Sequence, residues 1–181
     1  MGLLEILVLS RGGQGGVTAA RILASAIALE GRYAQAIPHF GAERRGAIVR
    51  SYLRVSEKSI RKHSSIKRAD AVIVFSRKIL DVVDISQYLR GDTVIVNSST
   101  PIKVAKKTFY VDATNIALKL GLVIAGWPVV NTAMVGATAK ALKLASLDSV
   151  LRALREYFSG NVLKMNEMAV KEAYNSVQEV K

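Results

Sequence analysis

Four glycines, Gly12, Gly13, Gly15 and Gly16, with Gln14 among them, separate an apolar run at Ile6 to Leu9 from a helical pattern in which Ala20, Leu23, Ala24 and Ile27 share one face. Glycine takes positive φ at no steric cost and lets a ligand approach the backbone. The N–H groups of the helical turn that follows carry partial positive charge toward the same point. Such a turn can hold an anion, and a phosphate above all. Ser10-Arg11-Gly12-Gly13-Gln14-Gly15 is the dinucleotide pattern G-x-G-x-x-G with serine in its first position. A dinucleotide also needs an acid about twenty residues further on to hold a ribose hydroxyl. The expected second strand, 33–37, ends instead in Pro38 and His39, and Glu30 falls on the preceding helix. No Lys-Ser/Thr pair follows the glycines, so the phosphate loop of a nucleoside triphosphatase is not favoured either. The alternative to a ligand is a tight strand-to-helix turn that serves close packing of helix on sheet.

A second stretch with chemical capacity is 38–47, where Glu43, Arg44 and Arg45 stand between Gly41 and Gly46 in a segment with neither helical nor strand periodicity. Arginine grips phosphate or carboxylate with two parallel hydrogen bonds, so this loop too suits an anion. A salt-bridged loop in which Glu43 merely holds its neighbours is the competing reading. From Glu43 to Arg68 there are nine basic residues and two acids. A solvated basic edge explains most of them. Nucleic-acid readers usually add exposed aromatics or a reading helix to such a patch, whereas aromatic content here is 6%.

The elements that must position these residues alternate along the chain. Strands are expected at 4–9, 33–37, 71–75, 93–96 and 109–112, in a mainly parallel layer closed by the last of them. Residues 48–55 put Val49, Ser51, Leu53 and Val55 on one face and Arg50, Tyr52 and Arg54 on a basic or wet one, as an antiparallel or edge strand would. Helices are expected at 77–89, capped by Ser76 but weakened by Asp81 and Asp84, and at 113–120, 132–145 after an Asn131 cap, 147–158 after Ser146, and 162–180. Asn97 to Pro101 is a turn-rich cluster at a strand's carboxyl end, where sheet ligands often bind. The pattern predicts an α/β fold of three layers, a mainly parallel sheet with helices on both faces and a Rossmann-like glycine-rich first turn.

Bulk properties narrow the function. With 181 residues, half of them hydrophobic, the chain is expected to form a single domain, 1–181. It has no cysteine, which removes disulfides, thiolate zinc sites and cysteine-ligated iron–sulfur clusters, and its two histidines are 24 positions apart with no carboxylates patterned around them. No metal site is expected. No apolar run approaches the roughly 18 residues of a membrane span, and 1–9 lacks a basic start or cleavage-like segment, so a cytoplasmic location is expected. A formal charge of +12 favours an anionic partner.

Taken together, the glycine turn and the second loop resemble the gamma subunit of pyruvate:ferredoxin oxidoreductase and its 2-ketoisovalerate relatives. That family opens with a strand, Gly-Arg-Gly-Gly-Gln-Gly, and a helix beginning Val-Thr-Ala-Ala; here Ser10 to Gly15 is followed by Val17-Thr18-Ala19-Ala20. Its Phe-Gly-Pro-Glu-Arg-Arg-Gly-Ala loop is matched by Phe40 to Ala47, with Ala42 in place of proline, and a late Asn before Leu-Gly-Ala is approximated by Asn131 to Ala137. Related indolepyruvate and 2-oxoglutarate subunits share the first motif but usually differ in the second. The resemblance implies a subunit of a complex with alpha, beta and delta partners that converts a 2-oxoacid and coenzyme A to acyl-CoA, CO2 and reduced ferredoxin. It implies that thiamine diphosphate and iron–sulfur clusters sit on those partners, that this chain has no catalytic residue or cofactor of its own, and that neither nucleic acid nor membrane is a partner. The residues expected to bind coenzyme A are Gly12, Gly13, Gln14, Gly15, Gly16, Glu43, Arg44, Arg45 and Asn131. An obligate subunit of this kind should also expose a large apolar patch.

Overall fold

Side chains alternate between the two faces of a strand, and along the apolar central strands this alternation divides the core in two. The computed structural model of the protein describes residues 2–39, 47–62, 64 and 66–181. The Glu43-Arg44-Arg45 expectation therefore lies outside the described residues. Strands β1 (Leu4–Arg11), β2 (Tyr33–His39), β3 (Ile48–Ser56), β4 (Ala69–Val74), β5 (Leu89–Asn97), β6 (Lys107–Val111) and a late pair of residues, Gln178–Glu179, form one sheet. Its order is β2-β3-β1-β4-β5-β6 and then the late strand. β1, β4, β5 and β6 are mutually parallel; β3 runs antiparallel to both β1 and β2, so β2 points the same way as β1. Five strands thus share one direction, which bears out a mainly parallel α/β fold.

β1, β4 and β5 are buried on both faces, as near-continuous aliphatic runs inside a parallel sheet should be. Ile6, Val8, Ala71, Ile73 and Ile95 face a large core shared with α1 (Gly16–Ala28), α2 (Ala113–Lys119), α3 (Asn131–Ala141), α4 (Leu147–Leu154) and α5 (Gly160–Ser176). Leu7, Leu9, Val72, Val74, Val94 and Val96 face a smaller core on the other side. That side is covered by two 3-10 turns, Arg77–Ile79 and Ile85–Gln87, through Ile79 and Ile85. They stand where an α-helix over 77–89 was expected. The Asp84 carboxylate accepts the Ser86 N–H at 3.0 Å and so starts the second turn locally, the competition with helix that aspartate is prone to. Val82 and Val83 add β-branched residues that disfavour a helix, and β5 begins at Leu89, paired with Ala69.

Other boundaries differ for local reasons. The 48–55 strand is antiparallel but internal, and the edge is β2, where the ring of Pro38 is tolerated. The Ser146 cap holds, its hydroxyl accepting the Ser149 N–H at 3.2 Å, but α4 stops at Leu154. α3 ends at Ala141, just before Lys143 at φ 51. Asn131 is its first helical residue, with Val130 before it as cap. α5 ends at Ser176 and Val177 turns extended, so Gln178 and Glu179 pair antiparallel with Tyr110 and Phe109; the sheet therefore continues one strand beyond β6. The remaining strands, β7 (Val123–Ile124) and β8 (Trp127–Pro128), form a separate hairpin, and the late strand is β9.

The expected basic face of β3 is not wet. Arg54 is fully buried, and the register lines it up between Gln35 of β2 and Glu5 of β1. Its guanidinium donates to Glu5 at 3.0 Å, to the Lys62 carbonyl at 2.8 Å and to the Ser64 carbonyl. Lys62 reaches the same carboxylate at 3.0 Å, while Arg90 contacts Glu5 at 3.5 Å and Asp70 at 2.7 Å. Burial pushes the Glu5 carboxyl up, but Lys62 and Arg54 outweigh it and hold it below the usual glutamate range.

Candidate ligand-binding site

The common direction of β2, β1, β4, β5 and β6 gathers their carboxyl ends on one edge, the edge at which open α/β sheets bind ligands. β1 delivers the glycine turn there. Gly13 and Gly15 adopt φ 95 and 78, conformations that glycine takes without strain, and Gly15 is the residue before α1. No side chain caps α1 and no acid lies in its first turn. Among the described residues no acceptor meets the N–H groups of Gly13 and Gly15, and the first-turn N–H groups of any helix lack partners within it. A row of donors backed by the positive end of a 13-residue helix is left at the edge of the sheet.

Close contacts fix the turn from both sides. A Cβ on Gly15 would lie 2.8 Å from the Asn131 amide nitrogen and 3.0 Å from its Cβ. The turn and the start of α3 are therefore in contact, and two stretches separated by more than a hundred residues meet there. Asn131 is 5% exposed, and its amide oxygen accepts the Thr132 N–H at 2.8 Å. A Cβ on Gly16 would collide with the Ser10 side chain. Ser10, which stands where the dinucleotide pattern has glycine, is accommodated by the bare backbone of Gly16.

Two of the expected site residues, Gly12 and Gln14, are engaged within the fold, one as donor and one as acceptor. The Gly12 N–H is spent on the Ala47 carbonyl at 2.8 Å, and the Gln14 side-chain oxygen accepts the Arg11 N–H at 2.8 Å. Gln14 thus braces the turn with its oxygen. The Gly12–Ala47 bond carries information that spacing did not: it sets the residue following 40–46 beside the glycine turn, while His39, the residue preceding that segment, ends β2 on the same edge. Positions 39 and 50 are paired across β2 and β3.

An open cleft of about 620 Å³ lies further along the edge, lined by Ser76, Arg77, Asn97, Ser98, Asp112 and Thr114 among others, where the Asn97 to Pro101 cluster falls. The buried amide of Asn97 is satisfied internally, donating to the Phe75 carbonyl at 2.9 Å and to the Thr114 hydroxyl at 2.8 Å and accepting the Thr114 N–H at 3.2 Å. It ties the ends of β4 and β5 to α2. The glycine turn, whose Gly13 and Gly15 N–H groups meet no acceptor among the described residues, is the better candidate of the two. Glu30, the acid nearest the place a dinucleotide site would need one, accepts the Ser146 N–H at 2.6 Å and pairs with Arg32 at 3.2 Å, so it braces α1 against α4.

The family model described as pyruvate ferredoxin/flavodoxin oxidoreductase matches residues 5–176. The chain belongs to this family. It is 45% identical over 182 residues to the pyruvate/ketoisovalerate oxidoreductases common subunit gamma of Thermococcus kodakarensis, with 96% of each chain covered. It is 39% identical to pyruvate synthase subunit PorC of Methanothermobacter thermautotrophicus, with 99% of this chain and 98% of that one covered. The crystal structure of pyruvate oxidoreductase subunit PORC from Thermotoga maritima superposes with a TM-score of 0.84 at 27% identity over the whole of both chains. The expected kinship with gamma subunits holds, and this oxidoreductase subunit carries both the glycine turn and the late asparagine on the elements that bring them together. Among the described residues no helix is long and apolar enough to cross a membrane.

Proposed function

We propose that the chain is the gamma subunit of a pyruvate-type 2-oxoacid:ferredoxin oxidoreductase, working with alpha, beta and delta chains to convert a 2-oxoacid and coenzyme A to acyl-CoA, CO2 and reduced ferredoxin. Its own part is to bind coenzyme A at the glycine turn and to help assemble the complex. The observation that carries this reading is the contact of Asn131 with Gly15 at the uncapped start of α1. It unites a phosphate-sized set of N–H donors with a buried amide, in a chain belonging to an oxidoreductase family. Gly13, Gly15 and Gly16 would offer backbone N–H groups to a phosphate or to pantetheine amides, and Gln14 its NH2. Ala47, which follows the Glu43-Arg44-Arg45 segment in the chain, is bonded to Gly12 of the turn, and Arg44 or Arg45 would add a charge-assisted contact. Thiamine diphosphate and iron–sulfur clusters, which supply decarboxylation and electron transfer, belong to the partner chains; a chain without cysteine offers no thiolate for a cluster. Alone it should be inert, in the cytoplasm as elsewhere.

Relatives named for both pyruvate and ketoisovalerate favour a second, compatible reading in which one gamma chain serves complexes of different 2-oxoacid preference. In either case substrate choice lies with the partners. Replacing Arg44 and Arg45 together by Met in the assembled complex should raise the apparent KM for coenzyme A by about ten-fold or more, the size of one lost charge-assisted bond. Assembly and decarboxylation of the 2-oxoacid measured without coenzyme A should be unaffected. Unchanged coenzyme A dependence would remove the loop from the site.

A further inference from the structure

Burying a polar side chain costs free energy unless its atoms are bonded, yet Asn131, Thr132 and Asn166 are all buried where α3 meets α5. Each bond among them has a fixed direction. Asn166 donates its NH2 to the Val162 carbonyl, one turn back on α5, at 2.8 Å, so its oxygen is turned to Thr132 and accepts that hydroxyl at 2.8 Å. Val130 offers α3 no side-chain cap, and the Thr132 N–H, which has no partner along the helix, is taken by the Asn131 oxygen at 2.8 Å. The Asn131 amide is therefore oriented. Its nitrogen is the atom that lies 2.8 Å from where a Gly15 Cβ would stand. Among the described residues no acceptor meets that nitrogen, and the fully occluded side-chain atoms without a partner are Ser51 Oγ and Thr138 Oγ1, so the Asn131 nitrogen opens on the site.

Packing alone does not call for these bonds. One turn further along both helices, Gly136 lets α3 come so close to α5 that an added Cβ would meet the Val170 carbonyl and Cα. That contact already holds the two helices together. The bond from Thr132 to Asn166 acts instead at the end of α3 nearest the glycine turn, where it fixes how the first residues of the helix are rotated. With its oxygen committed to Thr132, the Asn131 amide adds a donor to the Gly13 and Gly15 N–H groups and withholds its acceptor. A phosphoryl oxygen can use that set of donors, and the positive end of α1 favours its charge. An N–H group or amine of a ligand would find no acceptor in the amide.

We propose that Thr132 and Asn166 are positioning residues for the glycine-turn site, holding the Asn131 NH2 toward Gly15 as a fixed donor to a phosphoryl oxygen of the ligand. The inference rests on the reading of the turn as a coenzyme A site.

The test measures the apparent KM for coenzyme A, and kcat, in the complex reconstituted from all its chains. Thr132→Val keeps the volume and removes the hydroxyl. It should raise KM about three- to ten-fold, the size of one hydrogen bond, while kcat at saturating coenzyme A is retained, and Thr132→Ser should keep the wild-type KM. Because Thr132→Val leaves the Asn166 oxygen unpaired and lowers stability, Thr132→Val/Asn166→Leu serves as its stable counterpart. With both partners removed its melting temperature should return toward the wild type, yet its KM should stay raised. Asn131→Asp, which puts an oxygen where the NH2 stands, should raise KM more than Asn131→Ala does; a wild-type KM in Asn131→Asp would deny the donor and overturn the proposal. The deciding measurement is Thr132→Val in an Asn131→Ala background. A residue that acts through Asn131 changes nothing further there, whereas one that only supports the fold raises KM equally in both backgrounds, and that second result overturns the proposal. So does an unmoved KM in Thr132→Val beside a raised one in Asn131→Ala, an outcome that leaves coenzyme A at the turn. If neither substitution moves KM, the turn is not the coenzyme A site and both readings fall.

Discussion

Gly15 cannot carry a side chain for two separable reasons, its φ of 78 and the Asn131 side chain against its Cα. Gly13, at φ 95, has nothing within reach of an added Cβ and is subject only to the first. Gly13→Ala should therefore cost backbone strain alone, about 1 kcal/mol or somewhat more, and Gly15→Ala should fall toward the upper part of the roughly 1–3 kcal/mol range because α3 must also give way. In an Asn131→Ala background the added cost of Gly15→Ala should shrink, since the contacts with the amide nitrogen and Cγ are gone. Urea midpoints of the four proteins measure the coupling, and strict additivity would deny the contact its importance. At this scale the sequence disclosed which residues could gather at a site but not how their donors are used. The partner of the Gly12 N–H depends on where β3 begins relative to β1, and the fold of Gln14 back onto Arg11 depends on the turn it completes; neither register nor turn closure is written in residue spacing.

Among the elements, β3 shows what a cluster of charges can hide. Read by alternation, Arg50, Tyr52 and Arg54 belong to a solvated face, yet the carbonyls of Lys62 and Ser64 lie over Arg54 and Glu5 neutralises it. Arg54 is thus an internal staple that holds the connection after β3 onto the sheet. Removing Arg54 takes away the buried partner of Glu5 and orphans the Lys62 and Ser64 carbonyls, while Lys62 and Arg90 still reach the carboxylate, so Arg54→Met should cost about 3 kcal/mol, the low end for a broken buried pair. The pH dependence has a definite sign. The Glu5 carboxyl titrates lower in the fold than its ordinary 4.5, burial being outweighed by Lys62 and Arg54. The stability it contributes is therefore complete above that value and is lost as pH falls through the folded pKa. Glu30, raised by burial but lowered further by the Ser146 N–H and hydroxyl and by Arg32, acts in the same direction. Thermal melts from pH 7 to about pH 3 should show a steeper acid decline in the wild type than in Glu5→Gln, which is less stable throughout but flatter below the glutamate range. Equal slopes would contradict the ion pair. The same elements show why boundaries were only partly legible. Strong aliphatic runs identified β1, β4 and β5, and Ser146 identified the start of α4. The 77–89 segment had a fair helical composition, and only the Asp84 turn and the pairing of Leu89 with Ala69 divided it. β9, two residues long, has no pattern to read; its pairing with β6 follows from where α5 ends.

For the whole molecule, the alternation of strand and helix was enough to predict an α/β layer fold, whereas the meaning of its charge was not readable without partners. A formal +12 suggests polyanion binding until the cations are followed to their neighbours. Arg54 is buried; Lys62 and Arg90 turn toward Glu5 and Asp70, Arg32 toward Glu30 and Lys119 toward Glu172. Arg50 is stacked over the Tyr88 ring at 4.8 Å while donating to its hydroxyl at 2.8 Å. Among the described residues, these six cations are thus engaged within the fold itself. Any affinity for polynucleotide should accordingly be counterion release alone: weak, indifferent to sequence, and falling linearly in log K against log salt, so that little remains by about 200 mM. Titrating single- and double-stranded DNA and RNA across a salt series by fluorescence anisotropy measures this directly. An affinity that survives high salt, or that distinguishes one sequence from another, would require a built nucleic-acid site and would count against a chain whose cations serve its own fold.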